Sequence, residues 1–242
     1  LINVENGMLD WQLGVLFPHL SEYHSTFQIR ARFNPSVTYE RVDRFLAEVF
    51  PPDAIPLVEE LMGYLLLPST DHQKAFMLIG EGANGKSALL KMLSAFLGEG
   101  NVSNISLQRI VTDKFAVAEL QGKIANVYAD IPSAGLEQTD VFKAIVGGDT
   151  ISAERKFGHP FKLRPTARLI FSANELPRSK DLTPAFFRRW IVIPFPNKFE
   201  GTKADRNLDF ELHGPVARCA LLNRALAGLR RLEAAKAFSD CP

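Results

Sequence analysis

Four short apolar runs punctuate the middle of the chain, and the first three stop at a glycine or a polar residue. They are "KAFMLIG" from Lys74, "KIANVYAD" from Lys123, "ARLIFSAN" from Ala167 and "RWIVIPF" from Arg189. Runs of this length, bounded by turn residues, read as buried strands. Between them lie amphipathic stretches with helical spacing: "KSALLKMLSAFLG", "DKFAVAEL" and "QTDVFKAIVGGD". Gly98 and the pair Gly147–Gly148 are placed to end two of these helices. Strands alternating with helices predict an α/β fold around a mainly parallel central sheet.

The flanks have a different texture. In "NGMLDW" an Asn-Gly turn signal between short apolar runs predicts a hairpin near the start. "SVTYERVDRFLAEVF" places Val42, Phe45, Leu46 and Val49 at helical spacing, with Ser36 or Thr38 as the expected cap. "PPDAIPLVEELMGYLLLP" reads as a second helix, with Pro52 and Pro56 near its start and Pro68 past its end. Residues 1–72 are therefore expected to form a small, mostly helical domain, 73–200 the core, and 201–242 a C-terminal helical segment. Leu221, Leu222, Leu226 and Leu229 form one stripe on that last segment.

One stretch of the core alternates with period two. In "DTISAERKFGHPFKLRPT", Thr150, Ser152, Glu154 and Lys156 alternate with Ile151, Ala153 and Arg155. Phe161, Leu163 and Pro165 then alternate with Lys162 and Arg164. The pattern predicts a β-hairpin with a basic tip at "KFGHP". Lys156, His159 and Lys162 suit a phosphate backbone, which needs charge without base readout, and Phe157 suits stacking on a base. An ordinary surface hairpin has the same pattern.

Composition is that of a soluble globular protein: 242 residues, 46% hydrophobic and 23% charged. No apolar run is long enough to cross a bilayer, and the N-terminus lacks a signal-peptide pattern. The chain opens on Leu1 and not on methionine, so it is expected to be a piece of a longer protein. Cys219 and Cys241 match no metal spacing and read as reduced thiols of a host-cell cytosol. The net charge of +1 hides an uneven distribution. Residues 154–189 carry nine lysines and arginines against three acids, a local excess of six, which leaves −5 for the remainder. A basic block in an acidic chain points to a local anionic partner, nucleic acid or nucleotide phosphate.

The most specific signal is "GEGANGKS". Gly80 to Ser87 fit G-x-x-x-x-G-K-[ST] between a strand and a helix, the context that motif needs. Backbone N–H groups of Gly80, Gly82, Ala83, Asn84 and Gly85 are expected to converge on phosphate oxygens, aided by the positive end of the following helix. Lys86 would reach the β/γ-phosphates of ATP, and the Ser87 hydroxyl would hold Mg²⁺. Asp130 ends a strand about 45 residues on and is a second Mg²⁺ candidate. A neighbouring acid that activates water is missing, because Ala129 and Ile131 flank it. Asp130 does both jobs, or Glu137 or Asp140 contributes. Asn174 ends the next strand, either as a polar contact for water or the γ-phosphate or as a turn residue before Pro177. Arg188 and Arg189 lie between an aromatic pair and a strand, either as a finger toward a neighbouring subunit's nucleotide or as a surface pair.

The order of these parts resembles a superfamily 3 helicase. "GEGANGKS", "LQGKIANVYADIP", "GGDTISAERKFGHPFKLRPTARLIFSANELP" and "FFRRWIVIPF" follow as they do in the primase–helicases of phages, plasmids and large DNA viruses, poxvirus type included. The match runs over 73–196, and the flanks resemble that family's flanking helical segments. The resemblance implies a P-loop AAA+-like ATPase that assembles as a ring, usually a hexamer. ATP would lie between subunits, and single-stranded DNA would be tracked 3′ to 5′ at a fork. It implies catalytic roles for Lys86, Asp130, Asn174 and Arg189 or Arg188, with Arg189 preferred because it abuts the strand. It also implies DNA contact by Lys156 and His159, and a primase module upstream. A nucleotide-switched initiator that melts or loads at an origin without processive unwinding shares every one of these motifs. A small-molecule kinase and a packaging motor fit less well.

Overall fold

In the computed structural model of the chain, residues 1–132, 136–199, 205 and 207–240 are described. The chain begins with an antiparallel meander of β1 (Ile2–Val4), β2 (Gly7–Asp10) and β3 (Val15–Phe17). Glu5-Asn6 makes the first turn, one position before the expected Asn-Gly, and Gly7 opens β2 opposite Val4, where a side chain would meet the Phe17 carbonyl oxygen at 2.6 Å. The helices expected within 1–72 follow this sheet as α1 (Glu40–Val49) and α2 (Ile55–Tyr64). The apolar positions singled out on α1 are its buried face. Its cap differs from expectation: Tyr39 occupies the N-cap without a side-chain bond, and neither Ser36 nor Thr38 caps the helix.

The core then runs β4 (Ala75–Ile79), α3 (Lys86–Leu97), β5 (Val102–Ser103), α4 (Leu107–Thr112), α5 (Lys114–Ala118), β6 (Ala125–Tyr128) and α6 (Asp140–Gly147). It continues through β7 (Ile151–Ala153), β8 (Phe161–Leu163), β9 (Arg168–Ala173), α7 (Pro184–Phe187) and β10 (Trp190–Pro194). The chain ends in α8 (Leu208–His213) and α9 (Pro215–Ala235). Cys241 and the segment around the expected 200/201 boundary lie outside the described residues.

The elements gather into two compact units. The first comprises Leu1–Leu67, Ala83–Asn101 and the described residues from Pro196 onward. Its strongest packing is α2 against α9, where two glycines allow backbone contact. A methyl group at Gly63 would lie 2.4 Å from the Leu229 nitrogen, and one at Gly228 would lie 2.1 Å from the Glu59 oxygen. Buried Glu60 ties the same helices together by accepting from Arg231 Nε and from Ser239 Oγ, both at 2.7 Å. Arg224 adds bonds to Asp43 and Glu59. Cys219 is buried here, its thiol pushed up by burial, and it donates to the Asn34 carbonyl at 3.7 Å.

The second unit comprises Pro68–Gly82 and Val102–Phe195. Its five-stranded sheet has the order β10-β4-β9-β6-β5, and every pairing is parallel. β9 is buried along its whole length, as a strand covered on both faces must be. Phe142 of α6 stacks on Trp190 at 4.6 Å, and Phe186 meets both edge-on. This aromatic cluster fixes α6 and α7 to β10. Buried Asn126 closes the other side: it bonds the backbone N–H and carbonyl of Ile105, both at 2.9 Å, and accepts from Ser103 Oγ. Gly148 ends α6 in the left-handed region (φ 79°), where a side chain would strike Thr70. No helix among the described residues is long and apolar enough to cross a membrane.

Candidate nucleotide site and basic hairpin

In a parallel sheet, groups that follow the carboxyl ends of adjacent strands come together at one edge, where open α/β folds place their ligands. β4, β9 and β6 are neighbours in this sheet, with Ile79 opposite Ala173 and Tyr128 opposite Phe171. Gly80 therefore follows β4 beside the end of β9, and its N–H donates to the Ala173 carbonyl at 3.3 Å. Asn174 follows β9 directly. Asp130 lies two residues past β6, and its N–H donates to Ser172 Oγ at 3.1 Å. The next residue, Ile131, donates to the Ser172 carbonyl at 2.9 Å. These two bonds hold Asp130 in a left-handed conformation (φ 52°), which Asp tolerates better than most residues.

Asp130, Ile131, Pro132, Asn174 and Glu175 line one cavity of about 270 Å³. Glu175 joins this set from the structure alone. Its signal was only its place next to Asn174 in "SANELP". The two other acids considered for activating water are placed elsewhere. Glu137 pairs with Lys180 at 2.5 Å, and Asp140 pairs with Lys143 at 3.2 Å. Lys143 also bonds Asp181 at 2.9 Å, and neither Glu137 nor Asp140 lines the cavity. Asp181 accepts in addition from Thr139 and Thr183, and these bonds with Lys143 hold its carboxyl far below the usual carboxylate range.

Along the loop after Gly80 the backbone turns through left-handed Ala83 (φ 56°) and Gly85 (φ 91°) into α3. Gly85 is needed twice over, because a side chain there would also lie 2.9 Å from Val49. Gly85 is the N-cap of α3 and offers no side-chain bond to its first turn. The Lys86 N–H donates instead to Asn84 Oδ1 at 3.3 Å. Asn84 is buried, and its Nδ2 has no hydrogen-bond partner. Ser87 is exposed, whereas Lys86 is 4% exposed. Uncapped helix N–H groups, an orphaned amide donor and a lysine in sequence suit a phosphate group. No cluster of three or more His, Cys, Asp or Glu suited to a metal occurs among the described residues. Mg²⁺ carried with phosphates needs no such cluster, because it takes one or two protein ligands and keeps its waters.

The two arginines part company. Arg188, the C-cap of α7, is exposed. Arg189 turns back on its own unit: Nη1 donates to the Ala185 carbonyl, and Nε is buried without a partner. Burial and the charge of Arg188 push Arg189 down, with Asp149 opposing. Exposure thus favours Arg188 as the group available to a second molecule, against the sequence-based preference for Arg189.

The expected hairpin is β7 paired antiparallel with β8, Ile151 opposite Leu163 and Ala153 opposite Phe161. Buried Ala153 and Leu163 root it in the core, and every residue from Arg155 to Pro160 is exposed. Phe157 is 97% exposed at a left-handed position (φ 65°), with the Lys156 ammonium 5.2 Å from its ring centre. His159 and Lys162 are exposed beside it. Arg155 braces the base through Gln121 at 2.7 Å. The tip therefore presents a bare aromatic ring among cations.

Residues 78–189 match a family of unknown function (DUF5906), and residues 1–51 match the family described as D5 N terminal like. The chain is 28% identical over 212 residues to the protein named "Putative helicase L207/L206" of Acanthamoeba polyphaga mimivirus, covering 82% of this chain and 22% of that protein. It is 24% identical over 243 residues to "Putative helicase 184R" of Invertebrate iridescent virus 6, covering 86% of this chain and 23% of that one. The chain thus spans less than a quarter of these relatives. In fold it is similar to the apo C-terminal region of NrS-1, with a TM-score of 0.64 at 16% identity over 83% of this chain and 49% of that one. Together the D5-type N-terminal match, the helicase-named relatives of large DNA viruses and the shared fold fit a primase–helicase family.

Proposed function

We propose that the chain is the ATP-hydrolysing part of a replication helicase, in which nucleotide turnover moves single-stranded DNA past the basic hairpin. The observation that carries this reading is the carboxyl edge of one parallel sheet, where the start of the phosphate loop, Asp130 and Asn174 follow adjacent strands. The helicase names of the viral relatives support it.

In this reading the loop from Gly80 to Gly85 binds the phosphates of ATP through backbone N–H groups. Lys86 balances the charge of the transferred phosphoryl group. Ser87 and Asp130 would hold Mg²⁺, which would supply charge neutralisation on the phosphate oxygens. Asn174 orients water against the γ-phosphate. Arg188, or Arg189 after rearrangement, reaches a nucleotide held by a neighbouring copy in a ring, for which a hexamer is the expected form. Lys156, His159 and Lys162 hold DNA phosphates, and Phe157 stacks on a base. An associated primase module and 3′ to 5′ tracking come from the family resemblance.

The test is strand displacement on forked duplexes with a single 3′ or 5′ tail, by this chain and by Lys86→Ala. ATP-dependent displacement from the 3′ tail, lost in Lys86→Ala, is the expected result. Intact duplex under conditions where ATP controls DNA affinity would replace the helicase by a nucleotide-switched initiator.

A further inference from the structure

The second acid of the hydrolysis reaction is absent from its usual place beside Asp130, and the cavity at the sheet edge supplies a replacement. We propose that Glu175 is the carboxylate that accepts the proton of the attacking water. This rests on the ATPase reading above and assigns a residue to it.

Three observations converge on Glu175. It lines the same cavity as Asp130 and Asn174, whereas Glu137 and Asp140 are bound to lysines outside it. Its side chain is exposed and lines that cavity, where its oxygens can accept from water. Its backbone is held on both sides. β9 precedes it by one residue, and the segment after it is pinned to Leu136, whose N–H donates to the Arg178 carbonyl at 2.8 Å and whose carbonyl accepts from the Lys180 N–H at 3.2 Å. A base must be presented from a fixed backbone to be within reach of its proton. The cavity of about 270 Å³ equals roughly nine water volumes, enough for a phosphoryl group with its attacking water.

In the step itself, the water oxygen forms a bond to the γ-phosphorus. The bond from that phosphorus to the bridging oxygen breaks, and its electron pair leaves on ADP. The water proton passes to the Glu175 carboxylate and from there to solvent. Asn174, one residue away, donates or accepts a hydrogen bond that orients the same water.

The experiment compares the unaltered chain with Glu175→Gln, Glu175→Asp and Lys86→Ala. It uses three readouts: turnover, equilibrium binding of a fluorescent ATP derivative with Mg²⁺, and the identity of the nucleotide left on the protein. Glu175→Gln should lose turnover by about 100-fold or more, the scale of general-base removal. It should bind nucleotide within about threefold of the unaltered chain and retain ATP in place of ADP, a result that a merely structural role would not give. Glu175→Asp should recover part of the turnover. If Lys86→Ala abolishes hydrolysis while Glu175→Gln hydrolyses normally, or if Glu175→Gln loses turnover and nucleotide affinity together, the assignment fails and the ATPase reading stands. If the unaltered chain does not hydrolyse ATP, both fail.

Discussion

Replacing Gly228 by alanine sets two effects of opposite sign against each other. Gly228 lies inside α9, where alanine is intrinsically favoured by about 1 kcal/mol. An exposed helix would therefore be stabilised. Here the added methyl would stand 2.1 Å from the Glu59 oxygen, 2.2 Å from the Glu59 carbonyl carbon and 2.6 Å from the Glu60 nitrogen. All three are backbone atoms, so no side chain can rotate away. Non-bonded carbon contacts settle near 3.5 Å, so α2 and α9 must separate by roughly 1 Å. Overpacking of this kind costs about 1–3 kcal/mol, occasionally more. The separation also strains the bonds from buried Glu60 to Arg231 and Ser239. The upper end of that range applies, and the expected net loss is about 2 kcal/mol, or a fall in Tm of about 4–8 °C. Thermal and urea melts followed by circular dichroism measure it. Gly147→Ala in α6 is the internal control, because its nearest contact would be an Asp149 side-chain oxygen at 3.4 Å. Its stability should stay level or rise slightly. A Tm for Gly228→Ala equal to or above the unaltered value would refute the argument that backbone proximity dictates glycine at this crossing.

Asp181→Asn should loosen the start of α6, and its effect should depend on pH in a set direction. The folded pKa of Asp181 is depressed, so its contribution is present above the unfolded value near 4 and is lost as pH falls through the folded value. The Tm gap between the variant and the unaltered chain should be widest near neutrality and close below about pH 4; a gap that widens in acid would contradict it. Phe157→Ala should weaken single-stranded DNA binding by about 1–3 kcal/mol, and Lys156→Ala should flatten the salt dependence by about 0.7 in log–log slope, both read by fluorescence anisotropy. Unchanged affinity in both would remove the hairpin from the DNA path. Arg188→Ala should lower turnover in assembled protein by about 1,000-fold or more and leave the monomer's nucleotide affinity unchanged, whereas a monomer that hydrolyses as fast as the assembly would remove the finger.

What could be read in advance depended on how local each signal was. The phosphate loop is a contiguous strand–turn–helix, and the glycine spacing carries it whole. The hairpin was legible because a period of two survives in its short strands and because Phe157 has no structural reason to be among cations. β4, β6 and β9 announced themselves as mainly apolar runs, as strands covered on both faces do, whereas β10, expected as a buried strand, lies at the sheet edge with only Ile193 buried. β5 and α4 were not legible: two strand residues and a six-residue helix are too short for periodicity. What holds them is Asn126, twenty-one residues from the backbone it bonds. The α1 cap went to Tyr39 because the chain enters extended, bypassing the better capping residues before it. Glu175 was hidden for a similar reason. Its meaning comes from sharing a cavity with Asp130, forty-five positions earlier, and only the parallel pairing of β6 with β9 brings the two together.

The most direct test of the account is ATP hydrolysis by the chain, in an assembly state established by mass measurement, with and without single-stranded DNA and beside Lys86→Ala. The account predicts hydrolysis that rises when DNA is added and disappears in Lys86→Ala. Hydrolysis indifferent to DNA, or undiminished in Lys86→Ala, would contradict the claim that this loop drives a DNA motor.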